Sequence, residues 1–369
     1  MSKIDDLIEK ICPNGVKFEE LGNKELFKFY YGKGNKIPED IGGIYDVYGA
    51  NGVVSHINEY NCEDVSIIGH IGAVGMVNRC KGKCFVTYNG TIAEVVDKTK
   101  VDTQYLYYVL TTLNLPSYKK GSQPFLSVSD FDKIRIPVPP LEVQCEIVHI
   151  LDNFTLLSAL LSAELKARQK QYEYYKNKIF ADSNIVDRKS LRELAENCDN
   201  KRKPITSGNR TKGEIPYYGA SGIVDYVKDY IFEGDYLLIS EDGANLTARK
   251  TPIAFSISGK NWVNNHAHVL KFTDIYLQKY VEMYLNSLDL TPYITGAAQP
   301  KLNQENLNKI IIPLPNKMDI EHKVKLLEKF DKICNDISEG LPAEIEARRK
   351  QYEYYRDKIL TFKELKVEE

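Results

Sequence analysis

Leu161–Phe180 reads LSAELKARQKQYEYYKNKIF and Leu341–Leu360 reads LPAEIEARRKQYEYYRDKIL, with thirteen of the twenty aligned positions identical. The run Lys170-Gln171-Tyr172-Glu173-Tyr174-Tyr175 matches Lys350-Gln351-Tyr352-Glu353-Tyr354-Tyr355 without change. The offset of 180 residues is close to half of a 369-residue chain. A repeat of that period signals duplication of a domain together with its trailing helix, so the chain must fold as two similar units in tandem.

The match extends outward from the helix. Tyr48-Gly49-Ala50-Asn51-Gly52 pairs with Tyr218-Gly219-Ala220-Ser221-Gly222, and Gly82-Lys83 with Gly259-Lys260. Gln123-Pro124-Phe125-Leu126 pairs with Gln299-Pro300-Lys301-Leu302, and Lys133-Ile134-Arg135-Ile136-Pro137-Val138-Pro139 with Lys309-Ile310-Ile311-Ile312-Pro313-Leu314-Pro315. The order never changes. Short β-branched and apolar runs, such as Val65-Ser66-Ile67-Ile68 and Tyr236-Leu237-Leu238-Ile239, alternate with Gly, Pro and Asn clusters and read as strands with turns. One helix interrupts each half, near Gln104–Leu113 and Ile275–Leu288. The Pro-x-Pro steps are expected to end each sheet region.

Behind each strand-rich part, apolar residues recur at three- and four-residue steps. Leu161, Leu165, Tyr172, Tyr175 and Ile179 continue one such face, and Leu341, Ile345, Tyr352, Tyr355 and Ile359 the other. A helix over about 143–180 would be roughly 55 Å long, too long to bury on one small domain. Two such stripes pack most economically as an antiparallel pair. Tyr174 and Tyr354 lie on a neighbouring face, open to a partner. The second copy has gained four residues beside Gly340 and Pro342, which read either as a helix break or as a loop between two shorter helices. The expected fold is α+β: two tandem mixed α/β domains (1–140 and 183–315), a central helix (141–182) and a C-terminal helical region (316–369), with the long helices packed as an antiparallel coiled-coil pair.

Seven cysteines at irregular spacing fit free thiols in a reducing cytoplasm, and the acidic start MSKIDDLIEK does not resemble a secretion signal. No stretch reads as apolar and long enough to span a bilayer. Cys80-x3-Cys84 lacks a second Cys or His pair at zinc spacing, so no metal is expected. The net charge of −2 gives no global push toward nucleic acid, although a local stripe of cations suffices for phosphate contact.

In order and in duplicate, these elements resemble the specificity subunit of a type I restriction–modification system. The carriers are Cys12-Pro13-Asn14-Gly15-Val16 leading to Leu21-Gly22, the Tyr-Gly-Ala-Asn/Ser-Gly loops, the Gln-Pro-x-Leu to Ile-Pro-x-Pro run, and above all the Lys-Gln-Tyr-Glu-Tyr-Tyr helix. The resemblance covers essentially the whole chain. It implies a non-catalytic DNA-binding subunit in which each globular part is a target recognition domain for one half of a split sequence. The helices would set the spacer between the halves and dock two methyltransferase subunits, to which restriction/translocase subunits attach. S-adenosylmethionine, ATP and Mg would belong to those partners, with no cofactor in this chain. The residues agree. There is no Asn/Asp-Pro-Pro-Tyr/Phe sequence for a flipped adenine and no phosphate-binding Gly-x-x-x-x-Gly-Lys-Ser/Thr loop. Gly32-Lys33-Gly34 lacks the third glycine of a dinucleotide loop.

Each domain carries a cationic loop ahead of its Tyr-Gly-Ala motif, suited to phosphate contact. The second is the clearer, with Lys201, Arg202, Lys203, Asn209, Arg210 and Lys212; the first is more dilute and includes Lys33 and Lys36. Ser122 and Gln123, with Gln299 and Lys301, sit in glycine- and proline-bounded loops that can present paired donors and acceptors to bases. Tyr48, Asn51, Tyr218 and Ser221 are further candidates. Residues shared by both domains would position the DNA, and divergent ones, His70 against Glu241 and Tyr88-Asn89 against Asn265-His266, would discriminate. His266-x-His268 invites a metal or acid–base reading, but its counterpart Tyr88-Asn89-Gly90-Thr91 has no histidine, and an essential duplicated site keeps its ligands. Two rivals remain: a tandem adaptor binding protein or carbohydrate, and a fused endonuclease, for which Glu241-Asp242 is a poor candidate.

Overall fold

The chain is described by a computed structural model covering residues 3–34, 36–118, 125–181, 185–296 and 299–365. It divides into two compact units, neither of which is continuous with a single half of the sequence. Unit 1 comprises Met1–Ser162 with Glu344–Glu369, and unit 2 comprises Ala163–Ala343.

Unit 1 opens with α1 (Lys3–Ile11) and β1 (Lys17–Glu20). Six strands follow: β2 (Phe27–Tyr31), β3 (Tyr45–Gly49), β4 (Gly52–Ile57), β5 (Cys62–Gly69), β6 (Val77–Val86) and β7 (Gly90–Val95). They form one sheet in the order β2-β7-β5-β6-β3-β4. All its pairs are antiparallel except β3–β6, where Val47 faces Phe85 and Tyr48 faces Val86. After α2 (Thr103–Thr112), β8 (Arg135–Val138) returns to pair with β1, closing the strand-rich part on itself. The Asp102 carboxylate accepts from Tyr105 N at 2.8 Å and so starts α2, as an N-cap residue should. Tyr105, Leu106, Val109 and Leu110 of α2 are then buried with Val143, Ile147 and Leu151 of α3 (Leu141–Ala181) in one core.

Unit 2 repeats the plan with β9 (Asp187–Ser190), α4 (Leu191–Leu194), β10 (Glu196–Asn197), β11 (Lys212–Gly219), β12 (Gly222–Val227), β13 (Phe232–Glu233) and β14 (Tyr236–Ser240). Then come α5 (Asn245–Ala248), β15 (Ala254–Ile257), β16 (Lys260–Val263), β17 (Ala267–Lys271), α6 (Ile275–Ser287), α7 (Gln304–Asn308), β18 (Ile311–Leu314) and α8 (Lys317–Asn335); the last helix, α9 (Leu341–Ile359), belongs from Glu344 onward to unit 1. The sheet orders are β10-β17-β14-β15 and β12-β11-β16-β13, and β18 pairs with β9 as β8 does with β1. Where β6 bends at Gly82 with φ +83°, the second unit breaks the strand into β15 and β16 around Gly259, with φ +75°. Where β5 bulges at Asp64 with φ 54°, Gly234 with φ 117° separates β13 from β14. The parallel pair recurs as Tyr217 opposite Trp262 and Tyr218 opposite Val263.

The structure bears on three expectations. The strands do end at the Pro-x-Pro steps, at Val138 and Leu314 just before Pro139 and Pro315, but Pro137 and Pro313 lie within the two-stranded ladders, opposite Phe18 and Arg188. A proline is tolerated in such a short ladder where its missing N–H points away from the neighbouring strand. Their carbonyls accept from the buried hydroxyls of Tyr105 and Tyr280, each at 2.9 Å. Second, the helical stripe of the second copy, read as broken or as two shorter helices with a loop, is two helices joined by a turn. Asp336 ends α8 and caps the turn through Ser338 N at 2.7 Å, and Gly340 N donates to Asp336 O at 3.0 Å before α9 begins. A Cβ on Gly340 would sit 2.5 Å from Lys332 O, so only glycine fits there. Third, Leu141–Phe180 is long and apolar enough to cross a bilayer by length and composition alone. Its Val143, Ile147 and Leu151 are fully buried in the core of unit 1, whereas Leu156 and Leu160 are exposed.

The tyrosine repeat makes the same contact twice. In unit 1, Phe154 stacks at 5.8 Å on Tyr355 and lies 6.4 Å from Tyr352. In unit 2, Phe330 stacks at 5.5 Å on Tyr175 and 6.3 Å from Tyr172. There α3 and α8 run in opposite directions, since Lys323 Nζ, earlier in α8, reaches Ile179 O at 3.2 Å, later in α3. Ile179 and Ile359 are buried; Leu161, Leu165, Leu341 and Ile345 are half-buried. Tyr174 and Tyr354 point outward, each edge-on to the next tyrosine at 5.4 Å.

Candidate nucleic-acid interface

The residues of the two Tyr-Gly-Ala motifs form tight hairpins, β3–β4 and β11–β12. Gly49 faces Gly52 and Gly219 faces Gly222, which leaves Asn51 and Ser221 exposed at the turns. The positive φ of Gly52 and Gly222 (+100° and +122°) closes each turn. Beyond the turn, Val53 and Val54, and likewise Ile223 and Val224, are exposed on both faces of the ribbon. A two-stranded ribbon of this kind has the width to enter a major groove. Tyr48 and Tyr218 are anchors instead. The Tyr48 hydroxyl donates to Arg79 O at 3.3 Å, and burial pushes its ionisation up to about 12. Tyr218 is half-buried 6.0 Å from Phe255.

The cationic loop of unit 2 separates into two kinds of residue. Lys203, Asn209 and Lys212 are exposed, and Lys201 is half-exposed 3.9 Å from Glu196. Arg202 turns inward, 13 % exposed, with Nη1 2.6 Å from Glu241 Oε2 and 2.9 Å from Ala267 O, and Nη2 3.3 Å from Asp199. Arg210 lies over the Tyr217 ring at 4.4 Å and pairs with Asp225 at 3.0 Å, which holds the Asp225 carboxyl below the usual carboxylate range. In unit 1, Lys33 and Lys36 are exposed, and Gly32 lets the chain pass so close to β6 that a Cβ would lie 2.2 Å from Thr87 O. Of the paired glutamine loops, Ser122 and Gln123 lie outside the described residues. Gln299 is exposed, and its carbonyl would stand 2.4 Å from a Cβ on Gly296, whose φ is +83°.

Sequence reasoning missed what lies beneath these loops. Glu241 accepts from Arg202 and, at 3.2 Å, from Lys301. The buried His268 ring meets Asp199 Oδ2 at 2.6 Å through Nδ1 and Leu302 O at 2.7 Å through Nε2. Burial raises the Asp199 and Glu241 carboxyls, but the neighbouring His268, Arg202 and Lys301 outweigh it and hold both below their ordinary range. Asp199, Glu241 and His268 have the spacing of a metal site. Their ligand atoms are already engaged by a guanidinium, an ammonium and a backbone carbonyl, so the donor set suits an ion network rather than a cation. His266 pairs separately with Asp242 at 2.9 Å. The turn of the second hairpin joins this group through Ser240 Oγ, which donates to Ala220 O at 2.5 Å. The outward signal in sequence was only that Glu241 and His268 differ from their unit 1 counterparts.

Two copies of one scaffold, each presenting an exposed hairpin and exposed cations, define a duplicated two-unit fold. The type I restriction modification DNA specificity domain matches residues 2–168 and 185–347, and the chain belongs to that family. A putative type I restriction enzyme specificity subunit of Haemophilus influenzae is 36% identical over 49% of this chain and 47% of its own length. An Escherichia coli type I restriction enzyme specificity subunit is 32% identical over 72% of each chain. The chain thus spans about half of the first relative and nearly three quarters of the second. The type I restriction–modification S subunit of M. genitalium superposes with a TM-score of 0.61 over 94% of this chain and 96% of that one. At 16% identity the likeness is one of fold.

Proposed function

We propose that the chain is the DNA-reading subunit of a type I restriction–modification complex, with each unit reading one half of a bipartite target. The observation that supports this reading is the double family match laid over two copies of one scaffold, whose exposed hairpins and cations recur while the residues beneath them differ. Lys33, Lys36, Lys201, Lys203 and Lys212 supply phosphate contacts, which position the duplex without reading it. Asn51, Ser221 and Gln299 present short polar side chains at base height. The outward Tyr174 and Tyr354, with exposed Leu156 and Leu160 of α3, offer the helical surface on which two methyltransferase subunits dock. Restriction/translocase subunits attach to those. Methyl transfer, S-adenosylmethionine, ATP and Mg belong to the partners. The adaptor reading predicts no salt-sensitive DNA affinity.

Long-read methylation mapping of cells expressing this chain with a methyltransferase partner tests the reading. Methyl-adenine at one split motif, lost when this chain is omitted, is the expected result. An assembled, active complex that leaves no split motif refutes it.

A further inference from the structure

At the end of the central strand the backbone is the same in both units and the side chains are not. In unit 1, Gly69 faces Gly90, His70 N donates to Asn89 O at 3.2 Å, Leu126 N donates to His70 O at 3.2 Å, and Ile71 bridges to Phe125. In unit 2, Ser240 faces Ala267, Glu241 N donates to His266 O at 2.9 Å, Leu302 N donates to Glu241 O at 2.8 Å, and Asp242 bridges to Lys301. Tyr31 faces Thr91 across β2 and β7. Cys198 N donates to Val269 O at 2.8 Å and so brings Asp199 beside His268. His70 therefore takes the place of Glu241, Thr91 that of His268, Phe125 that of Lys301, and Tyr31 that of Asp199.

Those four places hold opposite chemistries. Unit 1 fills them with an uncharged cluster. The His70 ring is fully buried, 4.7 Å from Tyr31 and 5.6 Å from Phe125, with Tyr88 at 5.4 Å. Nδ1 meets Thr91 Oγ1 at 3.1 Å, and Nε2 has no partner among the described residues. Unit 2 fills them with the ion network of Asp199, Glu241, His268 and Lys301, into which Arg202 is drawn. Scaffold positions in duplicated domains drift between apolar residues of similar volume. Exchanging a partly buried aromatic cluster for ions that include the largely buried Asp199, Glu241 and His268 carries a desolvation cost that a scaffold role does not call for. Both clusters also sit beside the hairpin turn: a Cβ on Gly69 would lie 2.5 Å from Ala50 O, Ser240 Oγ donates to Ala220 O, and in unit 2 Lys301 follows directly on Gln299 and Pro300. Loops common to both units cannot by themselves read two different half-sites.

Resting on the DNA-reading role proposed above, we infer that these four pairs of positions determine how the two half-sites differ. Tyr31, His70, Thr91 and Phe125, and opposite them Asp199, Glu241, His268 and Lys301, are positioning residues that fix how each hairpin, and in unit 2 the Gln299–Pro300 turn, meets the base edges. Lys301, half-exposed, also adds a cationic donor to the unit 2 surface where unit 1 has the ring of Phe125.

The test uses the full chain assembled with a methyltransferase partner, acting on DNA with randomised half-sites and sequenced for methyl-adenine. Lys301→Phe installs the unit 1 residue in unit 2, and Phe125→Lys makes the reverse exchange. Each is expected to change base preference about tenfold at one or more positions of its own half-site, the scale of one altered base contact. The other half-site and the spacer should stay fixed, and their retention shows that the variant is folded. Lys301→Arg should keep the original preference. An identical motif in both exchanges, with methylation lowered evenly over all sites, overturns the inference, as does loss of all methylation in both while the complex still assembles. A wild-type complex that methylates no split motif instead overturns the DNA-reading role, which keeps the two failures distinct.

Discussion

His70 shows how a single buried group sets a pH response. Burial lowers its ionisation from the ordinary 6.5 to about 4, so the folded ring stays neutral while the unfolded chain takes up a proton. Because the unfolded state binds more protons across that interval, stability is full above pH 6.5 and is lost as pH falls toward 4. The loss is on the order of 3 kcal/mol at its limit, from the span between the two ionisations. His70→Phe keeps the ring packing and removes the titrating imidazole, so urea titrations from pH 7 to 4 should show a shallower decline than wild type. Equal slopes would mean that other groups carry the acid response. Arg202 and Lys203 are adjacent in sequence and opposite in role. Arg202→Ala leaves the largely buried carboxylates of Asp199 and Glu241 with only His268 and Lys301 as cationic partners, for a loss of about 2 kcal/mol measured by urea unfolding. Lys203→Ala, at an exposed cation, should leave stability within about 0.5 kcal/mol while lowering the salt slope of DNA binding by about one. A stable, weakly binding Arg202→Ala would reverse the assignment.

At the level of elements, the repeat and its 3.6-residue periodicity made the helices readable. α2 and α6 fall at Thr103–Thr112 and Ile275–Ser287, each behind an aspartate cap, close to the expected positions. The strand pairing was not readable. Nothing local distinguishes the parallel β3–β6 pair from its antiparallel neighbours, because register depends on partners distant in sequence. The Arg202–Glu241–His268 network was equally hidden, since it joins residues up to 66 positions apart whose proximity only the fold supplies. Within the helices, the four extra residues of the second copy form the Asp336–Gly340 turn, so helical rise applies to α3 and not there. Four residues inserted into α3 after Leu161 add about 6 Å of helix. Methylation mapping should then show the spacer moved by one or two base pairs with both half-sites intact, whereas an unmoved spacer would mean that α3 does not set it.

At the scale of the whole chain, its first and last elements meet within unit 1. The last part of α9 completes the core of unit 1, with Ile359 and Leu360 buried beside Ile147 and Leu151. The residues after it pair with the start of the same unit. Val16 N donates to Lys363 O at 2.9 Å, Leu365 N donates to Val16 O at 2.8 Å, and Arg135 pairs with Glu364 at 2.6 Å. In the repeat, Lys363 and Leu365 correspond to Ser183 and Ile185, and Val16 to Val186. What unit 2 makes by covalent continuity, unit 1 makes by hydrogen bonds. The order of the two units along the chain is then not essential to either. A permutant that joins Glu369 to Met1 through a flexible linker of about ten residues, with a reach of roughly 16–19 Å, and opens between Ala181 and Ile185 should fold with an unchanged circular dichroism spectrum. Assembled with a methyltransferase partner, it should direct methylation to the wild-type motif, both half-sites and spacer included. If the permutant folds but reads only the half-site of unit 1, the covalent link between Ala181 and Ile185 holds the recognition surface of unit 2 in place, and the symmetry is one of ancestry rather than of mechanics.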